Sequence, residues 1–198
     1  MSSTAHRHDR STAPVGGTDV STTDRVVTPF AARALAVTRI GFGLTFLWAF
    51  LDKLLALGFG TGRDETGAVD RFGDAAWVNG GSPTEGFLAF GADGPFKDLY
   101  NNIAGAWWAD TLFMVGLLGI GLALTLGIGM RVAAAAGALL YVLMWTVVLP
   151  PENHPVLDDH LLAAATLVVL GALAAGDTWG LGRTWARTGL VRRYPVLR

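Results

Sequence analysis

Apolar and polar positions alternate along this chain in long blocks, and four of the blocks are long enough to matter. Uninterrupted or nearly uninterrupted apolar runs occupy about Leu35 to Leu57, Asp110 to Gly129, Val132 to Leu149 and Val156 to Ala175. Stretches of this length read as membrane-crossing helices. Gly127, Gly129 and Arg131 punctuate a tight turn between the second and third runs, which makes those helices antiparallel neighbours. Pro150, Pro151 and Pro155 break the chain between the third and fourth and predict a short, stiff link.

The segment between the first and second runs, about 58–109, is too long for a structureless connection. In "SPTEGFLAF", Ser82 stands as a helix cap, Pro83 at the first helical position and Glu85 three residues after Ser82, a capping-box pattern. In "DGPFKDLYNNIAG" a second helix follows Pro95, with Phe96, Leu99, Tyr100 and Ile103 on one face. Two short amphipathic helices lying in the membrane interface are expected. Trp107 and Trp108 then anchor the start of the second span at that interface.

Residues 1–29, rich in Ser, Thr, Arg and Asp, contain no apolar run able to bury a core and read as a disordered cytoplasmic tail. No signal-peptide pattern precedes the first apolar run, which is therefore expected to be an uncleaved membrane helix. The four-helix domain is expected over 30–186, with a basic cytoplasmic tail over 187–198. Basic residues near the span ends fall mostly on one side: Arg25, Arg33, Arg131, Arg183, Arg187, Arg192 and Arg193 against Arg63, Arg71 and Lys97. That bias places both termini in the cytoplasm and the 58–109 segment and the "PPENHP" link outside. The expected fold class is an all-α integral membrane four-helix bundle with short interfacial helices in the outer loop.

Composition agrees with that class. Of the 198 residues 52% are hydrophobic and only 16% charged, and mean hydropathy is +0.43, too apolar for an ordinary soluble domain. A net charge of -1 leaves no nucleic-acid footprint. Cysteine is absent, which excludes disulfides, thiol redox chemistry and cysteine-ligated iron–sulfur or metal sites within this chain.

Candidate chemistry comes from polar groups placed where lipid should be. Leu161 to Ala175 is fifteen residues, about 22 Å of helix against an apolar core of about 30 Å. Extending it outward draws in His160, Asp159 and Asp158. Between Arg39 and Asp52 the first run has only twelve residues, about 18 Å. With the spans aligned at their cytoplasmic ends, Asp52 and Lys53 come out near the height of His160, and Asp110 lies at the rim. Unpaired charges in this region cost up to about 2.5–3.5 kcal/mol, so these groups are expected to turn toward one another. The predicted cluster is Asp52, Lys53, Asp158, Asp159 and His160, walled by Trp48 and Trp145.

A reading without function stands beside this one. Carboxylates in the first turn of a helix are favoured by its dipole by about 0.3–1 kcal/mol without any function, which accounts for Asp158 taken alone. Asp52 is not covered by that argument, since it sits toward the C-terminal end of its helix. Arg39 either snorkels to the cytoplasmic surface or pairs with Asp177. His154 reads as a turn or capping residue. A lone histidine in the spans leaves a bis-histidine haem without ligands, and no metal site is expected. The glycines of "GLLGIGLALTLGIG" and "AAAAGALL" are expected at close helix contacts.

The order "RIGFGLTFLWAFLDKL", "SPTEGFLAFG", "LFMVGLLGIGLALTLGIGMR", "NHPVLDDHLL" and "DTWGLGRTW" resembles the DoxX family, near its DoxD-like branch, which includes the small membrane subunit of thiosulfate:quinone oxidoreductase. The likeness spans about Arg33 to Trp185. It implies a four-helix protein of the bacterial cytoplasmic membrane that works with a partner oxidoreductase subunit, or as a homo-oligomer, in sulfur- or thiol-linked redox metabolism. Quinone is the cofactor it implies, with none bound covalently. Asp52, Lys53, Asp158, Asp159 and His160 match polar positions of the family pattern. The outward face is mostly acidic, which disfavours a dianion such as thiosulfate as the substrate of this chain alone. A non-enzymatic scaffold whose buried ions fix helix register is the alternative from another class. Transport of a small solute is disfavoured, since four short spans show no inverted repeat.

Overall fold

The computed structural model describes residues 27–152 and 154–198. The expectation of a disordered tail over 1–29 therefore lies outside the described residues as far as position 26. Thr28 caps the first helix, α1 (Pro29–Leu55), and Pro29 opens it: the Ala31 N–H donates to Thr28 Oγ1 at 3.2 Å and proline stands at the first helical position. α1 ends where Ala56 turns left-handed at φ 51°. The remaining helices are α2 (Glu85–Phe90), α3 (Lys97–Ile103), α4 (Trp107–Leu126), α5 (Met130–Val147), α6 (Asp159–Ala172), α7 (Gly182–Ala186) and α8 (Gly189–Arg193). Among the described residues extended pairing is limited to one isolated bridge, Arg63 with Val69.

α1, α4 and α5 are long and apolar enough to cross a membrane. The fourth expected span is shorter than its 156–175 forecast. α6 has 14 residues, about 21 Å. The Asp158 carboxylate caps it by accepting from the Leu161 N–H at 3.1 Å, which fixes the first turn at Asp159. At the other end Ala174 turns left-handed at φ 49° and stops the helix.

Packing is antiparallel and runs through small residues; of the glycines expected at close contacts Gly121 and Gly137 are there, whereas a Cβ at Gly116 or Gly119 would meet nothing within 4 Å. α1 lies on α4, α4 on α5 and α5 on α6. A Cβ added at Gly43 would stand 2.6 Å from the Thr125 nitrogen, and one at Gly121 2.9 Å from the Leu47 nitrogen, so the two backbones touch. Between α5 and α6, a Cβ at Gly171 would meet that of Ala134 at 2.7 Å. Buried residues on α1 recur as Ala36, Arg39, Gly43 and Phe46, the alternating three-and-four spacing of a helix seam. Phe46, Met114, Leu117, Ile120, Leu124, Leu167 and Leu170 form the shared core. Val37, Leu44, Leu112, Val115, Leu139, Leu162 and Val168 point outward and are exposed. This much outward apolar surface on long helices is compatible with a lipid surround.

The long connection from α1 to α4 is held by ties to the helix ends. Ser82 Oγ and Thr84 Oγ1 donate to Asp110 Oδ1 at 2.9 and 2.6 Å, and the Thr84 N–H donates to the same oxygen at 3.1 Å. Asp110, expected at the rim, is buried there. Ser82 also accepts from the Glu85 N–H at 3.0 Å, so its half of the capping box is formed, although the regular helix starts at Glu85. Tyr100 of α3 hydrogen-bonds Thr146 of α5, and the Asp93 N–H donates to Val147 O at 2.9 Å. Farther out, Asp64 organises the 64–68 turn by accepting from Thr66 Oγ1 at 2.7 Å and from the Thr66 and Ala68 N–H groups at 2.9 Å. The Thr66 hydroxyl first, and these backbone donors after it, hold the Asp64 carboxyl below the usual carboxylate range.

Residues 187–198, expected as a basic tail, are folded back. Val191 is buried, Trp185 Nε1 donates to Leu197 O at 2.6 Å, and the Arg131 N–H donates to Arg198 O at 3.0 Å.

Candidate functional site

Asp158, Asp159 and His160 come together at the start of α6. Capping decides the geometry: with Oδ1 engaged by the Leu161 N–H, the other Asp158 oxygen points at the imidazole, and His160 Nδ1 to Asp158 Oδ2 is 2.7 Å. Asp159 Oδ1 lies 3.5 Å from the same nitrogen but is 93% exposed, whereas His160 and Asp158 are 18% and 13% exposed. Successive residues stand about 100° apart on a helix, and the outward turn of Asp159 follows from that. With Asp158 ionised, the hydrogen between the two groups sits on Nδ1, which leaves Nε2 as the nitrogen free to accept a proton. The three ligand atoms lie within 4.8 Å of one another, close enough for a metal, but the Asp158 oxygens are already taken by Leu161 and His160.

α5 supplies the walls. The Tyr141 ring lies 6.2 Å from that of His160 and is itself met edge-on by Phe46 at 5.5 Å and Phe42 at 6.2 Å. One turn farther along α5, Trp145 Nε1 donates to Val156 O at 2.8 Å and pins the link to α6. His154 accepts from the Val156 and Leu157 N–H groups through Nδ1 at 3.1 and 2.9 Å, acting as the turn residue it resembled.

The other half of the expected cluster has different partners. Asp52 is buried at the end of α1, where it accepts from the Phe59 N–H at 3.1 Å and the Gly60 N–H at 2.8 Å. Lys53 faces the same place: a Cβ at Gly60 would stand 3.3 Å from Asp52 Oδ2 and 3.8 Å from Lys53 Nζ. Trp48 belongs here too, packed edge-on against Phe59 with ring centroids 5.0 Å apart. A common height does not make a common pocket. α1, however, lies mainly on α4, and α6 mainly on α5, so groups at one height turn to separate neighbours. Asp52 therefore closes the turn after its own helix, with Lys53 and Trp48 beside it, while Trp145 accompanies Asp158, Asp159 and His160.

Sequence reasoning passed over Tyr141. Its signal was available, since it is the hydroxyl-bearing aromatic in the apolar third run, four residues before Trp145 and so on the same helix face.

At the opposite end sits another buried charge. Arg39 is 0% exposed and neither snorkels nor pairs with Asp177, which is bound instead by Arg198 at 3.1 Å. Its guanidinium donates to Leu124 O and, at 2.9 Å, to Thr125 O at the last turn of α4. On its other side it donates to Trp179 O at 3.0 Å and Thr178 O at 3.4 Å. A helix C-terminus exposes unpaired carbonyls and the negative end of its dipole, which is where a buried cation is best placed. Gly127 and Gly180 leave room for it: a Cβ at either would come within 3.1 or 3.2 Å of the guanidinium.

No known protein family, characterised protein or solved structure matches the chain.

Proposed function

We propose that the chain is a four-helix membrane subunit of a DoxX- or DoxD-like redox complex, and that His160 with Asp158 exchanges protons with a quinone headgroup. In this reading α1, α4, α5 and α6 cross the bacterial cytoplasmic membrane with both ends of the chain in the cytoplasm. α2 and α3 lie in the outer interface, and His160 opens toward that side. The reading rests on the 2.7 Å Asp158–His160 contact beside the Tyr141 ring, a half-buried and oriented imidazole against an aromatic wall. A partner oxidoreductase, fed by sulfur or thiol oxidation, supplies two electrons; quinone takes two protons to become quinol. His160 Nε2 delivers the two protons in turn, recharged after each from water on the side where Asp159 is exposed. Asp158 is the positioning residue that holds the imidazole and its tautomer.

The test is quinol formation by the purified complex. His160→Ala is expected to lower turnover by about a hundredfold or more with the partner still bound; unchanged turnover removes the role. A second reading, a scaffold without chemistry of its own, is favoured by the way Arg39, Asp52 and Asp110 are all engaged by the protein's own loops. It predicts that Asp52→Asn loosens folding or partner retention, and that His160→Ala leaves quinol formation per retained partner untouched.

A further inference from the structure

The segment after Asp177 carries a charge pattern that neither redox chemistry nor helix packing uses. Residues 178–198 hold five of the chain's fifteen Lys and Arg and none of its sixteen Asp and Glu. Asp177, the acid immediately before it, is already paired with Arg198 at 3.1 Å. The segment is nonetheless folded. The Leu181 N–H donates to Leu126 O at 2.8 Å, Thr188 caps α8, and the Trp185 and Arg131 bonds pin the 195–198 stretch against the start of α5. It is thereby fixed at the level where the apolar helix α4 ends and α5 begins.

Its outer surface mixes two kinds of exposed side chain. Arg183, Arg187, Arg192 and Arg193 are exposed, and so are Trp179, Leu190, Tyr194 and Val196. Arg193 lies over the Tyr194 ring, 5.5 Å from its centroid. A face meant for water alone would not carry those four apolar groups, and a face meant for a protein core would not carry the four guanidinium groups. At a bilayer surface both are satisfied: the apolar side chains sink to the glycerol level, and planar guanidinium groups fork onto phosphodiester oxygens. Among the described residues the carboxylate beside the segment is Asp177, which Arg198 already holds, so the field favours a headgroup with net negative charge over one carrying its own ammonium.

We propose that the folded 178–198 segment is a selective binding surface for anionic phospholipid headgroups in the leaflet at the Arg39 end. This goes beyond the general bias of arginine toward one side of a membrane, because it assigns selectivity to one folded surface and to named side chains.

The experiment reconstitutes the full chain in bilayers of equimolar phosphatidylglycerol and phosphatidylcholine, extracts it with mild detergent and counts the lipids retained by native mass spectrometry. Retained phosphatidylglycerol should exceed phosphatidylcholine and fall toward parity as salt is raised. Arg192→Gln with Arg193→Gln should reduce the enrichment by about fivefold per arginine, while Arg192→Lys with Arg193→Lys keeps most of it. Lys97→Gln, at the far end of the molecule, should leave it unchanged. Equal retention of the two lipids by the wild-type chain overturns the proposal, as does enrichment that ignores salt or the double glutamine variant. If the glutamine pair does not fold, the salt series on the wild-type chain and the lysine pair still decide. An acidic protein that co-purifies on this face in place of lipid would also overturn it.

Discussion

Arg39 and His160 are both ionisable groups on apolar helices, at opposite ends of the molecule, and they are treated in opposite ways. Arg39 has no exposed surface and donates to carbonyls from two segments far apart in sequence, at 124–125 and 178–179. His160 keeps 18% of its side chain exposed and is held by the residue two places before it. A buried cation whose donors close a gap between two chain segments has been committed to the fold. An imidazole held through Nδ1, with no partner for Nε2 among the described residues, keeps one nitrogen for a ligand. Burial alone therefore does not mark a site; the side chain must also retain an unused valence that solvent or a ligand can reach.

The largest effect should come from removing the committed charge. Arg39→Met keeps much of the volume but strands the carbonyls at the end of α4 and at 178–179. A loss of about 3–5 kcal/mol is expected, seen as a fall of about 10 °C in the unfolding temperature of the purified protein in detergent. Arg39→Lys should recover less than half of that, because a single ammonium cannot span both segments as the fork does. A change within about 1 kcal/mol for Arg39→Met would erase the contrast between the two ends.

α1, α4, α5 and α6 were legible in the sequence because their apolar runs are long, and α2 and α3 because Ser82, Pro83 and Pro95 mark their starts; α7 and α8 are five residues each, too short to show a period, and were not legible. Which way each polar group turns was harder. The distance of Arg39 along the helix suggests snorkelling; its spacing from Ala36, Gly43 and Phe46 places it on the buried seam instead. Asp52 was matched to His160 by height, yet its partners are the amides of the glycine-rich "GFGTG" turn that follows it. Local signals of that kind were present. The tie from Asp110 to Ser82 and Thr84 was not readable, since an aspartate in a first helical turn has a sufficient local reason to be there and its partners lie 26 and 28 residues away. The Asp158–His160 contact was half readable: two residues along one turn, brought together once the capping role is known.

That capping role lets the His160 end be taken apart in two steps. Asp158→Ala removes the acceptor of the Leu161 N–H and should cost about 1 kcal/mol. Asp158→Asn retains a capping oxygen and should stay within a few tenths of wild type. If His160 handles protons, the asparagine variant should still lose quinol turnover by about tenfold to a hundredfold, since the imidazole loses the charge that orients it. Stability and turnover that fall together in both variants would make Asp158 a cap and nothing more, and would remove the distinction drawn between the two ends.

Arg39 and His160 differ in burial and in satisfaction at once, and Asp64 separates the two variables. Its Oδ1 accepts three hydrogen bonds, from the Thr66 hydroxyl and from two turn amides, so it too is held by several protein groups, but it lies in water. Its folded-state pKa is depressed, so whatever stability it gives is present above the unfolded value and is lost as the pH falls through the folded one, below about pH 4. Solvent screening keeps that contribution small. Asp64→Asn should therefore leave the unfolding temperature near neutrality almost unchanged, and it should flatten only the acid limb of a stability–pH curve. Backbone amide exchange at Thr66 and Ala68 is the sensitive readout, with faster exchange expected in the variant and in wild type at acid pH. A loss comparable to that of Arg39→Met would mean that hydrogen-bond satisfaction alone carries the stability, and that burial of the arginine adds nothing.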